Sequence, residues 1–149
     1  MLLWFIQVPG VDMIGIQSAW DDSEKTVIRM YIGDYWDWDD LNAAIDDASA
    51  MMREVSHQVD VITVMRPTSA LPDGNAMYNI RTYITRLPLN AGIHVMVGGN
   101  ILINRTLRML SHSYACMTGR LLQTNTLGEA YRIIARNRPE IYETFDFVA

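Results

Sequence analysis

The chain predicts an α/β fold: a mostly parallel sheet of four to six strands, entered by an N-terminal antiparallel hairpin and carrying about four helices. Three observations predict it. Two extended segments open the ordered region, separated by a short run rich in turn-forming residues. Brief apolar runs then alternate with longer stretches whose apolar residues recur every three or four positions. Several of the changes of period fall at a Pro, a Gly or a helix-capping residue. Such alternation implies right-handed crossovers and parallel pairing, and it leaves open whether the helices cover one face of the sheet or both.

The elements follow in order. Residues 1–10, MLLWFIQVPG, read as an N-terminal extension or an extra strand ended by Pro9 and Gly10. DMIGIQSAW (12–20) and TVIRMYIG (26–33) form the hairpin, with DDSEK supplying the turn. From Asp37 the period becomes helical: Leu41, Ala44, Ile45, Ala48, Met52 and Val55 make one face of a helix of about five turns. Asp37, Asp39 and Asp40 gather at its N-terminus, where the helix dipole favours negative charge.

Val59, Val61, Ile62, Val64 and Met65 then form the nearly continuous apolar run of a strand covered on both faces. Met77, Ile80, Ile84 and Leu87 mark a second helix that Pro88 stops. A strand over 92–97 leads through Gly98 and Gly99 into a third helix near Asn100, with Ile103, Leu107, Leu110 and Tyr114 on its inner stripe. After Gly119, RLLQT supplies the last strand. Thr126 and Glu129 have capping-box spacing ahead of a helix with Leu127, Ala130, Tyr131 and Ile134 on its apolar face, closed by Pro139. Residues 11–138 are thus one domain, and 139–149 form an aromatic-bearing tail.

Composition narrows the function classes. Half the 149 residues are hydrophobic and 19% are charged, the profile of an ordinary globular domain. A net charge of −5 argues against a nucleic-acid partner, which needs a basic face. The charge is lopsided: residues 1–60 hold twelve acids against three Lys/Arg (−9), and 61–149 hold five acids against nine Arg (+4). This asymmetry either steers association or is neutralised between halves that interleave in one fold. The apolar N-terminus lacks a basic flank and is too short to span a bilayer, so no membrane partner is expected and the location reads as cytoplasmic. Cys116 is alone in the sequence and reads as a packed thiol.

The loop leaving the central strand, RPTSALPDGNAM, is the first candidate site. One reading is an anion or partner contact made by Arg66, Thr68, Ser69, Asp73, Gly74 and Asn75 at the start of the second helix. The other is a connection in which Pro72, Asp73 and Gly74 build a turn and Asp73 or Asn75 caps the helix. Gly98, Gly99 and Asn100 are the second candidate, either a close-approach loop or a tight strand-to-helix turn. They lack the third glycine and downstream acid of a dinucleotide fingerprint. His57, His94 and His112 share no ligand spacing, and Asp34, Asp37, Asp39 and Asp40 read as a capped helix start before a cation site. No motif calls for a cofactor or a catalytic nucleophile.

Several segments carry a family resemblance: the entry hairpin, YWDWDDLNAAIDDA, VDVITVM, the loop with LPDG, VMVGG and LQTNTLGEAYRII. Between Val11 and Asn137 the chain resembles the STAS-like domains, the anti-sigma-factor antagonists and related bacterial proteins. Regulatory members carry Asp-Ser-Ser-Gly in the loop after the third strand, where a Ser accepts phosphate. The matching residues here are Asp73, Gly74, Asn75 and Ala76, so Asp73 is kept and the phosphoacceptor is missing. The resemblance therefore implies a non-enzymatic interaction domain without the phosphorylation switch, acting on a protein partner or as a homo-oligomer. The alternative from the residues themselves is a binder of a small apolar or anionic ligand at these loops.

Overall fold

A computed structural model describes residues 14–113 and 120–138. The elements run β1 (Ile16–Trp20), β2 (Val27–Ile32), α1 (Trp38–Arg53), β3 (Val59–Met65), α2 (Ala76–Thr85), β4 (Ala91–Gly98), α3 (Ile101–Ser113), β5 (Leu121–Thr124) and α4 (Leu127–Arg136). This is the α/β order expected. The expectations for residues 1–13, Tyr114, Cys116, Gly119, Pro139 and the tail lie outside the described residues.

The five strands lie in the sheet in sequence order. β1 pairs antiparallel with β2, Ile16 opposite Ile32 and Trp20 opposite Ile28. Every later pair is parallel: Val27 with Asp60, Val61 with His94, His94 with Leu121. Strands added always on the same side by right-handed crossovers put every crossover helix on one face. The packing agrees. Leu41, Ala44, Ile45, Ala48 and Met52 of α1, Ile80 of α2 and Ile103, Leu107 and Leu110 of α3 share one core with Ile28, Met30, Ile32, Val61 and Met96. α4 follows the last strand and is free to cross behind the sheet, where Ala130 and Ile134 cover Val27, Ile62, Ile93, Val95 and Val97. Both faces are covered, three helices to one, and that is why β3 and β4 read as apolar runs.

Polar contacts tie α4 down. Tyr131 donates its hydroxyl to Asp21 Oδ2 at 2.5 Å, and Arg29 Nη2 lies 2.6 Å from Asp21 Oδ1. Burial, and then the bond to Asp21, raise the Tyr131 phenol above its ordinary pKa, against the pull of Arg29. Beyond α4, Arg138 Nη2 reaches Asp60 Oδ2 at 2.5 Å and donates to the Thr26 carbonyl at 2.7 Å. Asp60 is completely buried, and its Oδ1 accepts from Ile93 N and Gln58 Nε2. Only glycine fits beside it, because a Cβ on Gly92 would stand 2.0 Å from Asp60 Oδ1.

Three ion pairs join the two halves of opposite charge. Asp34–Arg66, Asp46–Arg86 and Asp60–Arg138 each join an acid from the first sixty residues to an Arg from the rest. Two of the three acids, Asp34 and Asp60, are buried.

Some boundaries differ from expectation. α1 ends at Arg53, so Val55 packs against the core from the following turn. α2 ends at Thr85, three residues before Pro88, because Arg86 and Leu87 turn back onto Tyr83 and Ile84. The complete capping box sits at α1, where the Asp37 carboxylate accepts from Asp40 N and Asp40 returns the contact to Asp37 N. At α4 Thr126 accepts from Glu129 N, but the Glu129 carboxylate turns outward to Arg132 and Arg136. Among the described residues no helix is long and apolar enough to cross a membrane.

Candidate functional site

Parallel pairing brings the C-terminal ends of β2, β3 and β4 to one edge of the sheet, so the segments 33–38, 66–75 and 98–100 meet there. Asp34 organises the edge. It is 5% exposed, yet follows directly on a strand whose end points into the loops. Its Oδ1 accepts from the Thr68 hydroxyl, and Arg66 Nη1 lies 2.9 Å from its Oδ2 as a charge contact off the hydrogen-bond direction. A buried carboxylate without such partners would be costly, and the loop's cation and hydroxyl meet that need.

Ser69 is the second anchor, at 1% exposure. Its hydroxyl donates to the Gly33 carbonyl at 2.7 Å and accepts from Trp36 Nε1 at 3.1 Å, so both roles of the group are filled. Asn100 locks the other side. Its Nδ2 donates to the carbonyls of Ser69 at 2.8 Å and Pro67 at 3.1 Å, while its Oδ1 accepts from Ile103 N and caps α3. Gly99 N donates to the Met65 carbonyl at 2.9 Å. Gly98 has φ of +83°, and a Cβ there would lie 2.5 Å from the Met65 carbonyl oxygen, so the β4-to-α3 turn requires glycine.

The far end of the loop is held by aromatic residues. Trp38 Nε1 donates to the Asp73 carbonyl at 2.7 Å and passes close beneath Gly74. Trp36 and Trp38 meet edge to face, ring centroids 5.3 Å apart. Asn75, and not Asp73, caps α2: its Oδ1 accepts from Tyr78 N at 3.0 Å.

The structure thus brings together Arg66, Thr68, Ser69, Gly98, Gly99 and Asn100, with Asp73, Gly74 and Asn75 at the Trp38 end. Sequence reasoning missed Asp34, Trp36 and Trp38 as their partners. The available signal was the density of Asp and Trp in GDYWDWDD directly after a strand, which reads equally as a helix start. Around this polar framework the surface is apolar: Ile14, Tyr35, Tyr78, Ile101 and Leu102 are 61–78% exposed. Ile14 bridges Tyr35 at the open end of the hairpin, Tyr78 lies in the first turn of α2, and Ile101 and Leu102 open α3.

His94 is elsewhere. It lies four positions before Gly98 along β4, roughly 13 Å at strand rise, so it does not converge with Arg66 and Asp73. Its Nε2 is 2.5 Å from Thr63 Oγ1, its Nδ1 is buried without a partner, and burial lowers its pKa to about 4. The imidazole is therefore neutral at physiological pH. His57 bonds the Lys25 carbonyl through Nε2 at 2.8 Å. Among the described residues no three His, Cys, Asp or Glu side chains form a metal-ligating group. Compared with family models, curated proteins and solved structures, the chain matches none.

Proposed function

We propose that this chain is a non-enzymatic, STAS-like protein-interaction domain that works without a phosphorylatable serine and presents the 33–38, 66–75 and 98–100 edge to a protein partner or to a second copy of itself. One observation carries the reading. Five large apolar side chains, Ile14, Tyr35, Tyr78, Ile101 and Leu102, stand exposed around a loop framework whose polar groups bond to one another. Apolar residues grouped on a pre-ordered surface suit protein contact, since little conformational freedom is lost on docking.

The same bonding weighs against the loop as a small-ligand site. Arg66, Thr68 and Ser69 are occupied internally, and a ligand would have to displace Asp34 or Trp36 to reach them. The absence of a switch is supported at α2, where Asn75 stands at the cap in place of a hydroxyl that could accept phosphate. Ser69 is buried, so a kinase would first have to unlock the loop.

The test is the paired substitution Ile101→Asp with Leu102→Asp, both at exposed positions of α3. Native mass spectrometry of the wild-type protein should show a multimer, or pull-down a defined partner, that the double variant loses while its melting temperature is kept. A strictly monomeric wild type whose captured proteins are the same as the variant's defeats the proposal.

A further inference from the structure

The opposite end of the sheet carries two adjoining cavities that the interaction surface does not use. The first, about 320 Å³, opens where α2 stops short of β4. Ile84, Leu87, Pro88 and Leu121 form its walls, and the neutral His94 ring lies against it. The second is an open groove of about 510 Å³ that adds Ser56, Gln58, Asn90 and Asn137. Leu89, Ala91, Gly92 and Arg120 belong to both, so an apolar chamber runs into a polar one at their shared rim.

Charge at the rim is one-signed. Arg120 is exposed there and forms no ion pair with a described acid, and neither cavity is lined by a described carboxylate. Asp60, the acid that bonds Gln58 and abuts Gly92, already holds Arg138. Leu89 is fully exposed beside Arg120, an apolar side chain with no core to join.

We propose that this end binds a small single-chain anionic amphiphile, its apolar chain in the 320 Å³ chamber and its carboxylate at Arg120 over the polar groove. The chamber equals roughly ten to eleven water volumes, which suits a chain of about eight carbons. It also falls at the small end of the range of ligand pockets. A neutral imidazole at the wall adds no charge for the chain to bury, and Arg120 gives the head a planar pair of donors that a neutral alcohol uses less well.

The probe is octanoate, with 1-octanol as its uncharged counterpart, titrated into the full-length protein by calorimetry and by amide NMR. Octanoate should bind at least about tenfold tighter than octanol, shifting Leu89, Gly92, His94 and Arg120 and sparing Tyr78 and Ile101. Arg120→Gln should remove that tenfold preference and leave octanol binding unchanged. Leu89→Glu, at a fully exposed position, should weaken octanoate alone by setting a like charge at the rim. Ala91→Phe should block both probes by filling the chamber mouth. No binding by the wild type at about 1 mM octanoate, equal binding of the two probes, or an octanoate affinity that Arg120→Gln leaves intact each overturns the proposal. Loss of the apolar surface's partner in the Ile101→Asp, Leu102→Asp variant leaves these titrations unaltered, so the two readings fail separately.

Discussion

At the C-terminal end of the parallel strands the loops bond to one another, Asp34 with Arg66 and Thr68, Ser69 with Gly33 and Trp36, whereas at the N-terminal end Asp60 and Arg138 are buried as a pair and open space remains beside them. The same sheet feeds both ends, so the difference comes from what the connections must satisfy. At the first end all four helices begin, and N–H groups at their starts are met by Asp37, Asn75, Asn100 and Thr126. At the second end helices stop. Asn90 gathers the carbonyls of Met52, Val55 and His57, and α2 turns away ahead of Pro88, leaving the chamber wall set back. One end spends its polar groups on order among its loops; the other buries the Asp60–Arg138 pair, leaves Arg120 and Leu89 exposed, and keeps apolar space open beside them.

The two ends differ most in how they hold their buried acids. Asp60 is wholly shielded and faces an Arg138 side chain that is only 8% exposed, so Asp60→Ala strands a guanidinium and removes the acceptor of Ile93 N. The expected cost is about 4 kcal/mol in urea unfolding. Asp34 is comparably buried, but its partner Arg66 keeps 26% exposure and can turn to water once released. Asp34→Ala should therefore cost about 2 kcal/mol, and should loosen Thr68 in hydrogen exchange. Equal losses at the two sites would mean that the loop end is as closed as the strand-start end.

His94 sharpens the contrast through pH. Burial lowers its pKa to about 4 in the fold, against 6.5 for the free side chain. The unfolded chain thus takes up a proton near pH 6.5 that the folded protein refuses until about pH 4. Stability is untouched above that window and falls as pH drops through it, by about 2 kcal/mol at around pH 5 and about 3 kcal/mol once below pH 4. Urea midpoints measured at neutral and mildly acidic pH should show this slope in the wild type, and His94→Gln should flatten it. A slope unchanged by the substitution would place the acid sensitivity in other groups.

The fold was legible because its signals are local. Ile80, Ile103, Leu107 and Leu110 sit on the inner faces their spacing implies, and Val59 through Met65 is covered on both sides as a nearly continuous apolar run implies. The division of the helices, three to one, was not legible. It depends on the spatial order of the strands, which the residues of any one strand do not encode. The loop's contents were legible as a list, but their partners were not. Asp34 and Ser69 are 35 positions apart, and nothing in either segment announces that both turn inward at the same edge. Asp60 is a polar residue inside an apolar run, and its partner, Arg138, lies at the other end of the domain's sequence.

The smallest expected effect concerns the helix starts. Thr126 and Glu129 have the sequence spacing of a capping box, but Glu129 is drawn outward to Arg132 and Arg136, and those cations lower its pKa. The i, i+3 and i, i+7 placement of two Arg on one helix outcompetes a return bond to the Thr126 backbone, since each offers charge as well as a donor. At α1 the positions three and seven after Asp40 are Ala43 and Asp47, so no Arg stands where Arg132 and Arg136 stand at α4; Asp40 returns to the Asp37 N–H, and the reciprocal box forms with a residue that propensity alone would not select. Asp37→Ala removes an acceptor and a helix-start charge together and should cost about 1 kcal/mol; Thr126→Ala removes one neutral acceptor and should cost about half of that. Thermal melts of the two variants decide the order. Should Thr126→Ala prove the costlier, the α4 start depends on more than its cap, and the tie between Tyr131, Asp21 and Arg29 is the contact to examine next.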